Sequence, residues 1–177
     1  MFFKKFWRQP KANGSLYPSS KFACRAMLSD LPLDELDTIV ELGPGTGVFT
    51  QYYLKGCRAD ATIVLFESDP DFQDYLKARF ADDKRIVFAG NALELSKTLQ
   101  GLGIARADLI LSSLPVSLGN TLTQIMHQVA QNLGPEGIFR CYTYAPVLAR
   151  KYYRDLGVRK LRTVVRNLPP MWIYGSR

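Results

Sequence analysis

The chain has almost no histidine and little cysteine. His127 stands alone among 177 residues, and the three cysteines, Cys24, Cys57 and Cys141, are scattered. That leaves no His/Cys spacing for a metal and no disulfide framework, and it fits a reducing cytosol. Long apolar runs are also missing, since no stretch approaches the roughly 20 residues that span a bilayer. The opening MFFKKFWRQPK is interrupted by lysines. It lacks the unbroken apolar middle of a signal peptide and is expected to stay on the mature protein. No G-x-x-x-x-G-K-[ST] run occurs, which argues against a nucleoside triphosphate held by a P-loop. Finally, both ends lack acid. Residues 1–29 hold six Lys/Arg and no Asp or Glu, and residues 140–177 hold nine Lys/Arg and only Asp155, around an acidic middle. Basic ends of this kind favour a polyanionic partner, either nucleic acid or an anionic membrane surface.

What is present is a regular alternation. Apolar, β-branched runs at 37–43, 61–67, 85–90, 107–113 and 137–144 read as strands, each followed by a helical pattern. RKLRTVVRN and MWIYGS close the chain as a hairpin at the sheet edge. Such β-α alternation predicts an α/β fold: a doubly wound, mostly parallel seven-stranded sheet, helices on both faces and a C-terminal antiparallel hairpin. At 177 residues the chain is expected to form one domain. His127 falls in an amphipathic helical stretch and reads as a helix-surface residue.

Before the first strand lie two helical segments. At about 100° per residue, Phe2, Phe3, Phe6 and Trp7 share one arc, while Lys4, Lys5 and Arg8 share the other, and Pro10 ends the element. An aromatic face opposite a basic one suits a helix lying in a membrane interface; the alternative is a segment that packs on the protein's own body or is disordered. Pro18-Ser19-Ser20 opens a second helix over about 19–30.

Chemistry in an open α/β sheet gathers beyond the carboxyl ends of the strands. The first strand runs into VELGPGTGVFT, where Gly43, Gly45 and Gly47 form G-x-G-x-G behind Glu41. The third glycine of the dinucleotide fingerprint would fall where Val48 stands, so a dinucleotide is not indicated. Glu67-Ser68-Asp69 ends the second strand at the spacing where an acid accepts the hydroxyls of a ribose. Gly90-Asn91-Ala92 ends the third, placed to hydrogen-bond an adenine edge.

Over roughly residues 30–145 these features resemble the class I S-adenosylmethionine methyltransferases. The resemblance implies a Rossmann-like domain at 31–177, with residues 1–30 as an amphipathic helix and a cofactor-covering helix. S-adenosyl-L-methionine is the implied cofactor, held by Glu41, Gly43, Gly45, Thr46, Gly47, Glu67, Ser68, Asn91, Ala92, Ser112 and Leu114. No metal is implied. Enzymes that methylate base amino groups carry Asn or Asp, then Pro-Pro or Leu-Pro, then an aromatic ring, at the end of strand four. Here that place reads Ser112-Ser113-Leu114-Pro115-Val116, without the amide or the ring. Asn167-Leu168-Pro169-Pro170 has the missing composition but follows strand five, so it reads as a decoy.

GSLYPSSKFACRAM, VELGPGTGVFT, SSLPVSL, CYTYAP and VVRNLPPMWIY together resemble, in order and spacing, the bacterial phospholipid N-methyltransferases. Ser113 stands where that family usually has glycine, Cys141 differs, and the NLPPMWIY end is a residue or two short. The resemblance implies stepwise methylation of phosphatidylethanolamine or another amine-bearing lipid, by a cytoplasmic enzyme peripheral on the inner face of the cell membrane. Tyr17, Ser19 and Ser20 are then expected near the methionine end of the cofactor and the amine. Tyr144, the lipid phosphate and water are the candidate proton acceptors. Tyr142, Tyr144, Trp172 and Tyr174 are candidates to face the ammonium, and Arg166 or Arg140 to hold the phosphate. Two other functions share these features: RNA methylation of the adenine-dimethylase type, and a cofactor- or membrane-binding module without catalysis.

Overall fold

The computed structural model describes residues 21–153, 156–167 and 169–176. The expected membrane helix with Phe2, Phe3, Lys4, Lys5, Phe6, Trp7 and Arg8, and the covering residues Tyr17, Ser19 and Ser20, lie outside the described residues.

The elements follow the expected alternation. In order they are α1 (Lys21–Leu28), β1 (Thr38–Leu42), α2 (Val48–Tyr53), β2 (Thr62–Phe66), α3 (Pro70–Arg79), β3 (Ile86–Ala89), α4 (Leu95–Gly101), β4 (Ala107–Ser112), α5 (Asn120–Asn132), β5 (Leu133–Thr143), α6 (Pro146–Tyr153), β6 (Arg159–Val164) and β7 (Met171–Gly175). The seven strands form one sheet in the order β3-β2-β1-β4-β5-β7-β6. β1 to β5 are parallel, and β7 runs antiparallel between β5 and β6. The order reverses direction at β1, whose neighbours are β2 and β4, and ligands of open sheets lodge at such a switch point.

Burial on both faces explains the unbroken apolar runs of β1, β2 and β4. Ile39, Ile63, Leu65 and Leu109 face one layer with α1, α2 and α3, while Val40, Leu42, Val64 and Ile110 face the other with α4, α5 and α6. Asp108 fixes the register of the central pair, its Oδ2 accepting from the backbone N–H of Asp37 (2.9 Å) and Thr38 (2.8 Å). Strand five differs from expectation at its start. Leu133 pairs with Ala107, the chain then leaves the ladder over Gly134-Pro135-Glu136-Gly137, and pairing resumes at Ile138. Gly and Pro mark that detour in the sequence, but only the partner strand reveals that Leu133 is already paired.

Two arginines tie the C-terminal end of α1 to the sheet. Arg140, 2% exposed, donates from Nη1 to the carbonyl of Met27 (3.1 Å) and to Asp30 Oδ1 (2.6 Å). Arg162 donates to the carbonyl of Ala26 (2.7 Å) and to the same Asp30 oxygen (3.1 Å). Cations at a helix C-terminus satisfy carbonyls that have no partner within the helix. This corrects the expectation that Arg140 holds a lipid phosphate, because its guanidinium is enclosed under α1. Asp30→Ala takes a carboxylate away from a buried guanidinium and is expected to lower stability by about 2 kcal/mol. Arg162→Ala, at a half-exposed position, should lower it by about 1 kcal/mol or less. Urea unfolding of both variants checks the ranking.

Candidate active site

The site is built from the carboxyl ends of the strands, beginning with the glycine loop after β1. Gly43, Gly45 and Gly47 all have positive φ (73°, 56° and 71°), which only glycine adopts without strain. Their surroundings differ. A Cβ on Gly47 would lie 2.7 Å from the Phe80 ring and 2.9 Å from Leu76, so this glycine lets α3 pack against the loop. A Cβ on Gly45 would meet nothing within 4 Å, so its backbone borders open space where a ligand can approach.

Glu67, at the end of β2, joins that loop to its own. Its Oε2 accepts from the N–H of Gly45 (3.0 Å) and its Oε1 from the N–H of Asp69 (3.0 Å). Burial raises its pKa, and the backbone N–H groups of Asp69, Gly45 and Ser68 oppose that shift. Three backbone N–H groups on about four lone-pair sites leave the carboxylate room for a ligand hydroxyl. Gln73 steadies the same turn by donating to the Glu67 carbonyl (2.7 Å). Ser68 is exposed beside it. Arg79, which sequence reading missed, reaches back from α3 to the carbonyl of Thr46 (2.8 Å) and to Gln51.

At the end of β3, Asn91 Oδ1 accepts from the N–H of Leu93 (2.9 Å), capping a short helical turn over buried Ala92. The amide is thus fixed in place, with one lone pair engaged. Beyond β4, Ser112 is buried and lies 3.4 Å from the N–H of Leu114. The Leu114 side chain sits against Gly43.

Glu41 is fully buried among helix residues. Its Oε2 accepts from Thr50 Oγ1 (2.6 Å) and the Tyr53 hydroxyl (2.9 Å), both on α2, while Oε1 has no hydrogen-bond partner. Burial pushes its pKa up to about 7 against the opposing hydrogen bonds of Thr50 and Tyr53. An unpartnered oxygen on a buried carboxylate, close behind the glycine loop, is suited to a cationic group.

An aromatic wall continues from the glycine loop toward the hairpin. The Phe49 ring on α2 lies 5.6 Å from Tyr142, and Tyr142 lies edge-on to Tyr144 at 5.7 Å. The Asn167 amide then donates to the Tyr144 hydroxyl (3.3 Å) and to the carbonyl of Pro169 (3.0 Å). The turn taken for a decoy therefore sits on the site's edge. The antiparallel return of β6 and β7 brings it back beside the end of β5, which chain order alone conceals.

The expected four-aromatic group divides. Tyr142 pairs with Ile173 and faces the α1 side, whereas Trp172 and Tyr174, opposite Thr143 and Cys141, pack on the α5–α6 side. Strand parity thus separates Trp172 and Tyr174 from Tyr142 and Tyr144, and Tyr174 is core. Arg166 is exposed in the hairpin turn, its guanidinium 5.4 Å from the Phe22 ring centre. His127 lies on the surface of α5 beside Gln131, as expected. Among the described residues no group of His, Cys, Asp or Glu is arranged to hold a metal.

Open space at Gly45, two oriented oxygens on Glu67 and the unpartnered oxygen of Glu41 fit a ligand with ribose hydroxyls and a cationic group. Comparison with known proteins agrees. The ribosomal RNA adenine dimethylase family profile matches residues 10–144. Ornithine lipid N-methyltransferase of Singulisphaera acidiphila is 34% identical over 100% of this chain and 94% of its own. Ribosomal RNA small subunit methyltransferase A of Coxiella burnetii is 29% identical over 48% of this chain and 32% of its own. Among solved structures, the O-methyltransferase TomG of Streptomyces achromogenes, in complex with S-adenosylmethionine, has a TM-score of 0.69 at 14% identity, covering 97% of this chain and 87% of that one.

The buried Glu41 gives a pH dependence of defined sign. Its folded pKa of about 7 stands above the ordinary 4.5, so below about pH 4.5 it is protonated in both states and costs nothing. Between about pH 4.5 and 7 the unfolded chain ionises first and stability falls, by up to about 3 kcal/mol. Glu41→Gln removes that loss. Chemical unfolding of the ligand-free protein should show the variant gaining on the wild type between pH 5 and pH 8. A constant difference across that range would contradict the assignment.

Proposed function

Because the chain belongs to the bacterial lipid N-methyltransferase family, within the group described by the ribosomal RNA adenine dimethylase profile, it is an S-adenosylmethionine-dependent methyltransferase, and we propose that it methylates the neutral amine of a membrane lipid headgroup. Phosphatidylethanolamine and an ornithine lipid are the two carriers to test, the first from the sequence motifs and the second from the relative of full-length similarity.

What carries this assignment is the acceptor side of the sheet edge. The Phe49–Tyr142–Tyr144 wall lies there, while the end of β4 offers Ser112-Ser113-Leu114-Pro115 in place of the amide and ring used on a base. Aromatic faces suit an amine that gains methyl groups and ends as a cation. Bound S-adenosylmethionine would supply a sulfonium methyl, already a strong electrophile, so alignment is the main task left to the protein.

The chain's own residues divide that task. Glu67 takes the ribose hydroxyls on lone pairs not used by Gly45 and Asp69. Glu41, buried behind the glycine loop with Oε1 unpartnered, lends its negative charge to the ammonium end. Asn91 and Ala92 border the adenine, and Ser112 and Leu114 close the floor beside Gly43. The Tyr144 oxygen accepts from the amine N–H and turns the nitrogen lone pair toward the methyl. Arg166 meets the anionic part of the headgroup from the hairpin turn. The proposed location is peripheral, on the cytoplasmic face of the membrane; among the described residues no helix is long and apolar enough to cross one.

Incubation with methyl-labelled S-adenosylmethionine, vesicles containing both amine lipids, and total RNA tests the acceptor in one vessel. Label in the lipid extract is expected; label confined to RNA, or absent from both, sinks the assignment. Tyr144→Phe should lower kcat about 10- to 100-fold while leaving cofactor affinity within about twofold. An unchanged kcat would remove Tyr144 from the mechanism.

A further inference from the structure

The carboxyl edge of the sheet is electrically divided. At its β2–β3 end stand Asp69, Asp71 and Glu94, all beside the proposed adenosine site. At its other end the described residues of the loops after β5 and β6 carry no acid, and Asp30, the described acid paired with Arg140 and Arg162 on these strands, stands past the far end of α1. Two large apolar side chains stand in solvent at this second end. Val147, in the first turn of α6 just after β5, is 85% exposed, and Val165, the first residue after β6, is 74% exposed. The two loops are joined to each other by the bond from Asn167 to the Tyr144 hydroxyl. A third apolar group, Phe22 at the start of α1, is partly exposed and lies between two cations, 5.6 Å from Lys21 Nζ and 5.4 Å from the Arg166 guanidinium.

We propose that this rim is a membrane-docking surface, with Val147 and Val165 entering the headgroup layer of an anionic bilayer while Lys21 and Arg166 meet its phosphates. The charge distribution selects this occupant: apolar tips on the same rim as the Lys21 and Arg166 cations, with no acid among the described residues of the loops after β5 and β6, complement an anionic lipid surface. The surface is distinct from the aromatic–basic segment at residues 2–8, and it orients the molecule. The end of β5 with Tyr144 faces the bilayer, and the acidic β2–β3 end points away from it. The proposal deepens the lipid-headgroup assignment, since a headgroup would reach the amine-accepting side without leaving the membrane.

The test is vesicle flotation of the full-length protein, without methyl donor, on phosphatidylcholine vesicles with and without 30 mol% phosphatidylglycerol, where about 30 mol% is chosen to approximate a strongly anionic surface. The double variant Val147→Glu/Val165→Glu is compared with Leu102→Glu, which places the same charge on an exposed apolar position at the opposite edge, before β4. Circular dichroism and cofactor affinity confirm that both variants are folded. The expected result is at least a tenfold lower partition of the double variant onto anionic vesicles, with Leu102→Glu within about twofold of wild type and weak wild-type binding to phosphatidylcholine alone. Flotation of the double variant equal to wild type, or no wild-type binding to anionic vesicles, overturns the proposal. Methylation of detergent-dispersed lipid separates the two levels. If the double variant has lost vesicle binding, label on dispersed lipid supports docking and acceptor together. Lost vesicle binding with no lipid label from the wild type leaves the docking surface standing and removes the acceptor assignment.

Discussion

The carboxylate of Glu67 between two backbone N–H groups is the interaction on which the site depends. It links the loop after β1 to the loop after β2 across the central strand pair, and it does so from a position burial makes costly for a charge. The same oxygens that orient the glycine loop are the ones proposed to take the ribose hydroxyls, so in that proposal the frame and the recognition element are one group. Gly47, closed by Phe80 and Leu76, and Gly45, open to space, show how neighbouring glycines serve opposite purposes, one for packing and one for access. Arg79 completes the frame by holding the carbonyl of Thr46 from α3.

Behind this frame lies a second carboxylate of different character. Glu67 is steadied by backbone N–H groups, whereas Glu41 has two hydroxyl partners and an oxygen with none. Its raised pKa means that the empty protein carries a cost at neutral pH that a cationic ligand can offset. Instability of this kind, placed where a ligand binds, is a recurrent compromise of binding sites. The helix α1, pinned by Arg140 and Arg162 through Asp30, closes the layer on the same side.

Much of this was legible in the sequence because it is local. The β-α alternation follows from side-chain periodicity, and the glycine loop and Glu67 announce themselves by spacing along the chain. What escaped depends on pairing between distant segments. Trp172 and Tyr174 were grouped with Tyr142 and Tyr144 because all are aromatic, but the register of β7 on β5 turns them to the opposite face. Asn167 was set aside because it follows strand five, yet an antiparallel hairpin returns its chain to the edge it had left. Arg140 looked like a surface cation until its strand was found beneath α1. Phe49, Thr50 and Tyr53 belong to a helix whose sequence reads as ordinary packing, and only the fold shows that they face Glu41 and Tyr142.

Cofactor binding by Glu67→Gln tests the central claim most directly. The amide substitutes a donor for one carboxylate oxygen, so it sets an NH2 against either the Gly45 N–H or the Asp69 N–H and removes the charge while preserving shape. Calorimetric titration of the folded variant with S-adenosylmethionine should give a Kd at least about tenfold weaker than wild type, the range expected for a lost hydrogen bond to a charged group. A Kd within about twofold of wild type would contradict the assignment of Glu67 as the group that both sets the loop and receives the ribose.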